Sequence, residues 1–307
     1  MKRFATSLLF VLLLTLTTAC GAGNTAGSSP SDALPDAFTT VPAGGSTAAA
    51  SDAPISQREL IVFAAASLTD AFGELGRNFE AANPGVSVTF NFAGSQQLAQ
   101  QINQGAPADV FASANRAQME TAITAGEIVS GTQRTFVRNR LVVIHPHANS
   151  AGLSRLEDLG KPGVKLVLAA KEVPVGGYSL DFLRKASALP QFSSAYSETV
   201  LANVVSYEEN VRAVLSKVAL DEADAGIVYS SDVTLDAATQ VGRIDIPDEL
   251  NTLATYPIAP LKDAPQTALA EQFVAYVLSS EGQQVLVKYG FIAATDNARG
   301  VTPAASA

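Results

Sequence analysis

From Arg58 onward, short apolar runs alternate with stretches whose apolar residues recur at helical spacing. That alternation limits the fold more than any other feature of the chain. Strand, helix and strand in succession imply βαβ units, which bury a parallel sheet beneath helices on both faces. Leu60-Ile61-Val62-Phe63-Ala64 is a first buried strand, followed by Leu68, Ala71, Phe72, Leu75 and Phe79 on one helical face. Asn83-Pro84-Gly85 stops that helix. Val86 to Phe90 is a second strand, Leu98 and Ile102 mark a second helix ended by Gly105, and Asp109 to Ala112 is a third strand. Further strands are expected at Arg140 to Ile144, Lys165 to Ala169, Asn203 to Ser206 and Ala225 to Tyr229. Helices lie between them, from Tyr178 to Ala186 and from Val211 to Leu220. Residues 242–258 read as two short strands, and the last helices run from about Gln266 to Leu278 and from Glu281 to Tyr289.

The expected fold class is therefore α/β, with two lobes, each a mainly parallel sheet flanked by helices, and a ligand cleft between them. Residues 58–140 with 257–295 are expected to form lobe 1, residues 141–256 lobe 2, and residues 296–307 a small polar tail. No internal repeat of fixed period runs through the chain.

Charge and composition exclude several functions. A net charge of −9 argues against non-specific nucleic-acid binding, which needs a basic face. A single Cys allows neither an intramolecular disulfide nor a Cys-based zinc site, and two His exclude a His-rich metal site.

The first 57 residues read as an address rather than as part of the fold. Lys2 and Arg3 precede an apolar stretch from Leu8 to Leu16, too short to span a bilayer, so residues 1–19 read as a secretory signal. Leu16-Thr17-Thr18-Ala19-Cys20 resembles a bacterial lipobox, with Thr17 standing where Leu is usual. Cys20 is the expected lipidation site. Cleavage before it leaves 18 basic residues against 29 acidic ones, a net charge of −11. The Gly, Ala, Ser, Thr and Pro of residues 20–57 have no periodicity and read as a tether, spanning on the order of 30 Å as a flexible coil. The expected location is outside the cytoplasm, anchored to a membrane by the lipid on Cys20.

The chemistry is expected at the strand ends, where ligands bind in open α/β sheets. Phe63-Ala64-Ala65-Ala66-Ser67 and Asn91-Phe92-Ala93-Gly94-Ser95 each place small residues and a Ser directly before a helix. Val173-Pro174-Val175-Gly176-Gly177-Tyr178 and Ser206-Tyr207-Glu208-Glu209-Asn210-Val211 open two more helices. Free N–H groups and the positive ends of helix dipoles make such termini anion sites without Lys or Arg. Tyr229, at a strand end, adds a phenolic O–H. Plainer roles compete at each position: a Ser before a helix serves as an N-cap, a Tyr as a core residue, and Glu209 with Arg212 as a surface pair.

At these same places the chain resembles the molybdate-binding proteins of ABC transporters, the ModA family. The resemblance is carried by Phe63-Ala64-Ala65-Ala66-Ser67-Leu68, Gly105-Ala106-Pro107-Ala108-Asp109-Val110-Phe111 and Val173-Pro174-Val175-Gly176-Gly177-Tyr178. Glu209-Asn210-Val211-Arg212, Gly226-Ile227-Val228-Tyr229-Ser230-Ser231-Asp232 and the closing Lys288-Tyr289-Gly290-Phe291 continue it over residues 58–292. It implies the type II periplasmic binding fold and a tetrahedral MoO4 or WO4 dianion held by hydroxyls and backbone N–H groups. Ser67 and Ser95 would donate from hydroxyl and backbone, Val175 and Val211 from backbone N–H, and Tyr229 from its hydroxyl. Val175 stands where the family often has Ala. Ser95 is the one hydroxyl in a turn where relatives often show consecutive serines. The resemblance implies no cofactor and no metal ligand, with molybdenum held only as its oxyanion. It further implies a monomer that meets a membrane permease.

Two alternatives follow from the residues. The same fold serves other tetrahedral oxyanions, such as sulfate or phosphate. A secreted serine hydrolase would need a base beside its nucleophile, for which His145 and His147 are the candidates, but no G-x-S-x-G elbow occurs. The plain reading makes both loop histidines.

Overall fold

The computed structural model describes residues 58–294 apart from Thr234 and the side chains of Leu235 and Asp236. The expected signal at 1–19, the lipidation site Cys20, the tether to residue 57 and the tail at 296–307 lie outside the described residues.

β1 (Arg58–Ala65) leads through one 3-10 turn (Ala66–Leu68) into α1 (Thr69–Ala82). β2 (Val86–Ala93) pairs parallel with β1. α2 (Ser95–Asn103) returns the chain to β3 (Val110–Ala112), parallel to β1 on its other side. α3 (Arg116–Thr124) and β4 (Arg134–Asn139) follow. At Arg140 the chain leaves for a second sheet. There it forms β5 (Leu141–Pro146), β6 (Leu166–Ala169), α4 (Pro174–Ser187) and α5 (Tyr196–Ala202). β7 (Val204–Glu208), α6 (Val211–Ala219), β8 (Ala225–Tyr229) and β9 (Val241–Asp245) complete it. The chain re-enters the first sheet with β10 (Ala254–Pro260), then forms α7 (Thr267–Leu278), α8 (Ser280–Lys288) and β11 (Ile292–Ala293).

The sheet orders are β11-β4-β10-β3-β1-β2 and β7-β6-β8-β5-β9. β10 opposes both β3 and β4, and β11 opposes β4, so β1 to β4 all point one way. In the second sheet β6, β7 and β8 are parallel, β5 opposes β8, and β9 opposes β5, so only β5 runs against the rest. Each lobe is thus a mixed sheet flanked by helices, with most of its strands pointing one way. Residues 58–139 and 254–293 build one sheet and residues 141–245 the other.

β1 shows why the sequence reads as a buried strand. Leu60, Val62 and Ala64 face the core cluster that holds Phe72, Phe136 and Phe273. Phe63 faces the opposite cluster, with Leu98, Ile102, Phe111 and Met119. Both faces of the strand are covered, so successive residues are apolar. Two buried asparagines fix the passages between the sheets. Asn139 Oδ1 accepts the Arg140 N–H at 3.0 Å. Asn251 Oδ1 accepts the Leu141 N–H at 3.0 Å, while its Nδ2 donates to the Leu141 and Ile246 carbonyls. No described helix is long and apolar enough to cross a membrane.

Candidate functional site

Five strand ends and helix starts meet in one small pocket between the two sheets. Ser67, Ser95, Val175, Val211 and Tyr229 all line it. Its empty space is about 210 Å³, open solvent included, so the cleft is small. None of its lining residues is charged.

Ser67 sits in the 3-10 turn after β1 and Ser95 opens α2; both are buried. Neither caps a helix through its side chain: Leu68 and Gly94 hold the N-cap positions of α1 and α2. The plain N-cap role is therefore corrected at both serines. Ser67 Oγ lies 2.9 Å from Tyr256 Oη. Ser95 Oγ accepts the Ala114 N–H at 3.0 Å, which leaves its own hydrogen to donate elsewhere.

The second lobe supplies backbone donors. Pro174 fills the first position of α4, where its missing N–H costs nothing, and Val175 follows with an N–H in the first turn. A Cβ on Gly176 would lie 2.0 Å from the Ala170 carbonyl, so only glycine lets α4 start this close to the end of β6. At α6, Asn210 caps the Ala213 N–H at 3.0 Å. The Val211 N–H, at the first helical position, has no partner within the helix. The start residues of α2, α4 and α6 all line the pocket, so three helix dipoles contribute positive potential there. Tyr229 Oη is buried and has no hydrogen-bond partner among the described residues. Burial holds this phenol well above its ordinary pKa, so it keeps its proton and stays a donor.

Contacts between the lobes surround the pocket. Gln96 Nε2 donates to the Glu209 carbonyl at 2.9 Å and Gln97 Nε2 to Glu209 Oε2 at 3.0 Å. Arg212 Nη2 reaches Asp70 Oδ2 at 2.7 Å, and its Nε lies 3.2 Å from Asp232 Oδ1. Glu209 and Arg212 are thus not the surface pair expected from the sequence; each bridges to the other lobe. Burial pushes the Asp232 carboxyl up to about 6, further than Arg212 and the Tyr229 N–H pull it down.

His145 lies within β5 rather than in a loop, with Nδ1 2.7 Å from the Pro146 carbonyl and its ring over Gly242. His147 is exposed, and neither histidine lines the pocket. Among the described residues no three His, Cys, Asp or Glu side chains cluster as metal ligands. Sequence reasoning missed Tyr256 and Asn139, which stand behind Ser67; nothing local marks them, because the contacts span 189 and 117 residues.

Two α/β lobes around a pocket walled by hydrogen-bond donors define the class of two-lobed solute-binding proteins. The chain belongs to the bacterial extracellular solute-binding protein family, whose pattern matches residues 60–292, and within it to the ModA family. It is 42% identical over 234 residues to the molybdate-binding protein ModA of Mycobacterium tuberculosis, covering 76% of this chain and 84% of that one. The periplasmic molybdate-binding protein of Azotobacter vinelandii superposes with a TM-score of 0.66 at 21% identity, covering 76% and 98% of the two chains. The sulfate-binding protein SubI of Mycobacterium tuberculosis shares the fold at a TM-score of 0.69 and 15% identity, covering 78% and 88%. These relatives are molybdate- or sulfate-binding proteins, and the chain is a solute-binding protein rather than an enzyme.

Proposed function

We propose that this protein captures molybdate, and tungstate with it, outside the cytoplasm and delivers the anion to the permease of an ABC importer. In this reading the lipid on Cys20 and the tether hold a monomeric two-lobed body near the membrane. One observation carries the ligand class: Ser67, Ser95, Val175, Val211 and Tyr229 surround a small pocket that no charged side chain lines. Hydroxyls and helix-start N–H groups suit a compact tetrahedral dianion, and their dipoles act locally in a chain of net negative charge. The ModA relatives support molybdate as the cargo.

The mechanism follows from where the donors sit. Ser67 and Ser95 belong to the first lobe, Val175, Val211 and Tyr229 to the second. Only a closed cleft brings both sets to one anion, so binding shifts the population toward the closed form that the permease receives. A smaller oxyanion leaves some buried donors unpaired, which sets selectivity over sulfate.

A thermal-shift titration with molybdate, tungstate, sulfate and phosphate tests the reading. A ligand at 100 times its Kd stabilises the fold by about 2.7 kcal/mol. Shifts with molybdate and tungstate alone are expected. A shift with sulfate or phosphate instead keeps the fold and changes the cargo. Ser67→Ala is expected to weaken molybdate binding by about 1.5–3 kcal/mol, and wild-type affinity in that variant removes Ser67 from the site.

A further inference from the structure

The Ser67 hydroxyl has a neighbour on the side away from the pocket, and the direction of that hydrogen bond decides what Ser67 offers a ligand. Ser67 Oγ and Tyr256 Oη lie 2.9 Å apart, and either atom is able to donate. The rest of the network favours one direction. A backbone N–H only donates, so the Arg140 N–H at 3.0 Å fixes which end of the Asn139 amide is its oxygen. Ser230 Oγ, 2.9 Å from the same Oδ1, agrees with that assignment. Asn139 Nδ2 therefore points the other way. It donates to Ser231 Oγ at 2.8 Å and to Tyr256 Oη at 3.5 Å. A donor approaching Tyr256 Oη, even at the long 3.5 Å of Asn139 Nδ2, favours the arrangement in which Tyr256 donates to Ser67 Oγ and the Ser67 hydrogen faces the pocket.

We propose that Asn139 and Tyr256 are positioning residues that turn the Ser67 hydrogen toward the bound anion, through the chain Arg140 N–H, Asn139, Tyr256, Ser67. This rests on the oxyanion-binding reading above. No proton is transferred; each hydroxyl is oriented and polarised by the one behind it. Ser95 reaches the same state by accepting the Ala114 N–H. Both pocket serines then turn hydrogens inward, which suits a fully deprotonated dianion better than an anion that carries its own proton. Asn139 and Tyr256 are both fully buried, so solvent does not compete for these bonds.

The test is a double-mutant cycle read by molybdate titration. Tyr256→Phe is expected to weaken binding about five- to tenfold when Ser67 is present, the worth of one oriented neutral hydrogen bond. In a Ser67→Ala background the same change is expected to cost less than about twofold, because the residue it acts through is gone. A second variant keeps the fold and strengthens the donor: 3-fluorotyrosine in place of Tyr256 is a stronger donor and a weaker acceptor. It is expected to tighten molybdate binding, because a stronger Tyr256 donor polarises the Ser67 hydroxyl further toward the anion. Equal losses in both Ser67 backgrounds, or weaker binding with fluorotyrosine, overturn the relay. A wild-type protein that binds none of the oxyanions overturns the functional reading instead, so the two failures are separable.

Discussion

Gly94→Ala is expected to block closure of the cleft without harming the free protein. Gly94 precedes α2 with φ −60° and ψ 135°, a conformation any residue adopts, so alanine brings no backbone strain. Its entropic effect on the unfolded chain is mildly stabilising, at about 0.4–1 kcal/mol. The Gln96 side-chain amide, 2.5 and 2.6 Å from an added Cβ, is the end of a flexible chain and swings aside, so the fixed obstacle is the backbone of the other lobe. A Cβ at this position would lie 2.5 Å from the Glu209 carbonyl oxygen, where real Cβ atoms essentially never come within 3.0 Å. The lobes must separate here by about 0.5 Å or more. That opening stretches a hydrogen bond of about 2.9 Å toward 3.5 Å, where it is largely lost. Losing one to two bonds to a charged ligand, at about 1.5–3 kcal/mol each, weakens molybdate binding by roughly ten- to ten-thousandfold. Calorimetric titration measures the affinity, and thermal unfolding without ligand measures the fold. Wild-type affinity in Gly94→Ala, or a loss of affinity matched by a loss of ligand-free stability, refutes closure across Gly94.

Tyr229→Phe removes a buried hydroxyl with no hydrogen-bond partner among the described residues, so ligand-free stability is expected to hold or rise while molybdate affinity falls by about 1.5–3 kcal/mol; unfolding and titration of the one variant check both signs. Ser95→Ala is expected to do harm twice. It leaves the buried Ala114 N–H unpaired, costing about 1–3 kcal/mol of ligand-free stability in a denaturant melt, and it removes a donor from the pocket. Burial pushes the Asp158 carboxyl up, but the Ser154 N–H, Lys161 and the Arg155 N–H outweigh it and hold the group well below its usual 3.8. Its stabilisation is therefore complete above the unfolded carboxylate pKa and lost as pH falls through the folded one. Melts between pH 7 and pH 2 are expected to show that loss in the wild type and a flatter profile in Asp158→Asn.

How much of this was legible in the sequence depended on how local the physics was. β1, β2, β3, α1 and α2 were readable because strands covered on both faces are continuously apolar and α1 carries a wide apolar stripe. α3 was not, because only Met119 and Ala122 of its nine residues are buried. β4 escaped because its buried residues, Phe136, Val137 and Asn139, do not alternate, and it runs almost directly into β5. The five pocket residues were legible as small or polar residues at strand ends, sharpened by the family resemblance. Their surroundings were not. Asp70 and Arg212 are 142 residues apart, and Gln96 and Glu209 are 113 apart. Such pairs exist only once the two lobes face each other. Tyr256 read simply as part of a strand, because its role depends on a serine 189 residues away.

A crystal structure of the molybdate complex tests the central claim most directly. The account predicts one tetrahedral anion between the lobes, with oxygens about 2.7–3.1 Å from donors of Ser67, Ser95, Val175, Val211 and Tyr229, and no protein oxygen bonded to the metal. An anion seated elsewhere, or molybdenum coordinated directly by a carboxylate, contradicts it.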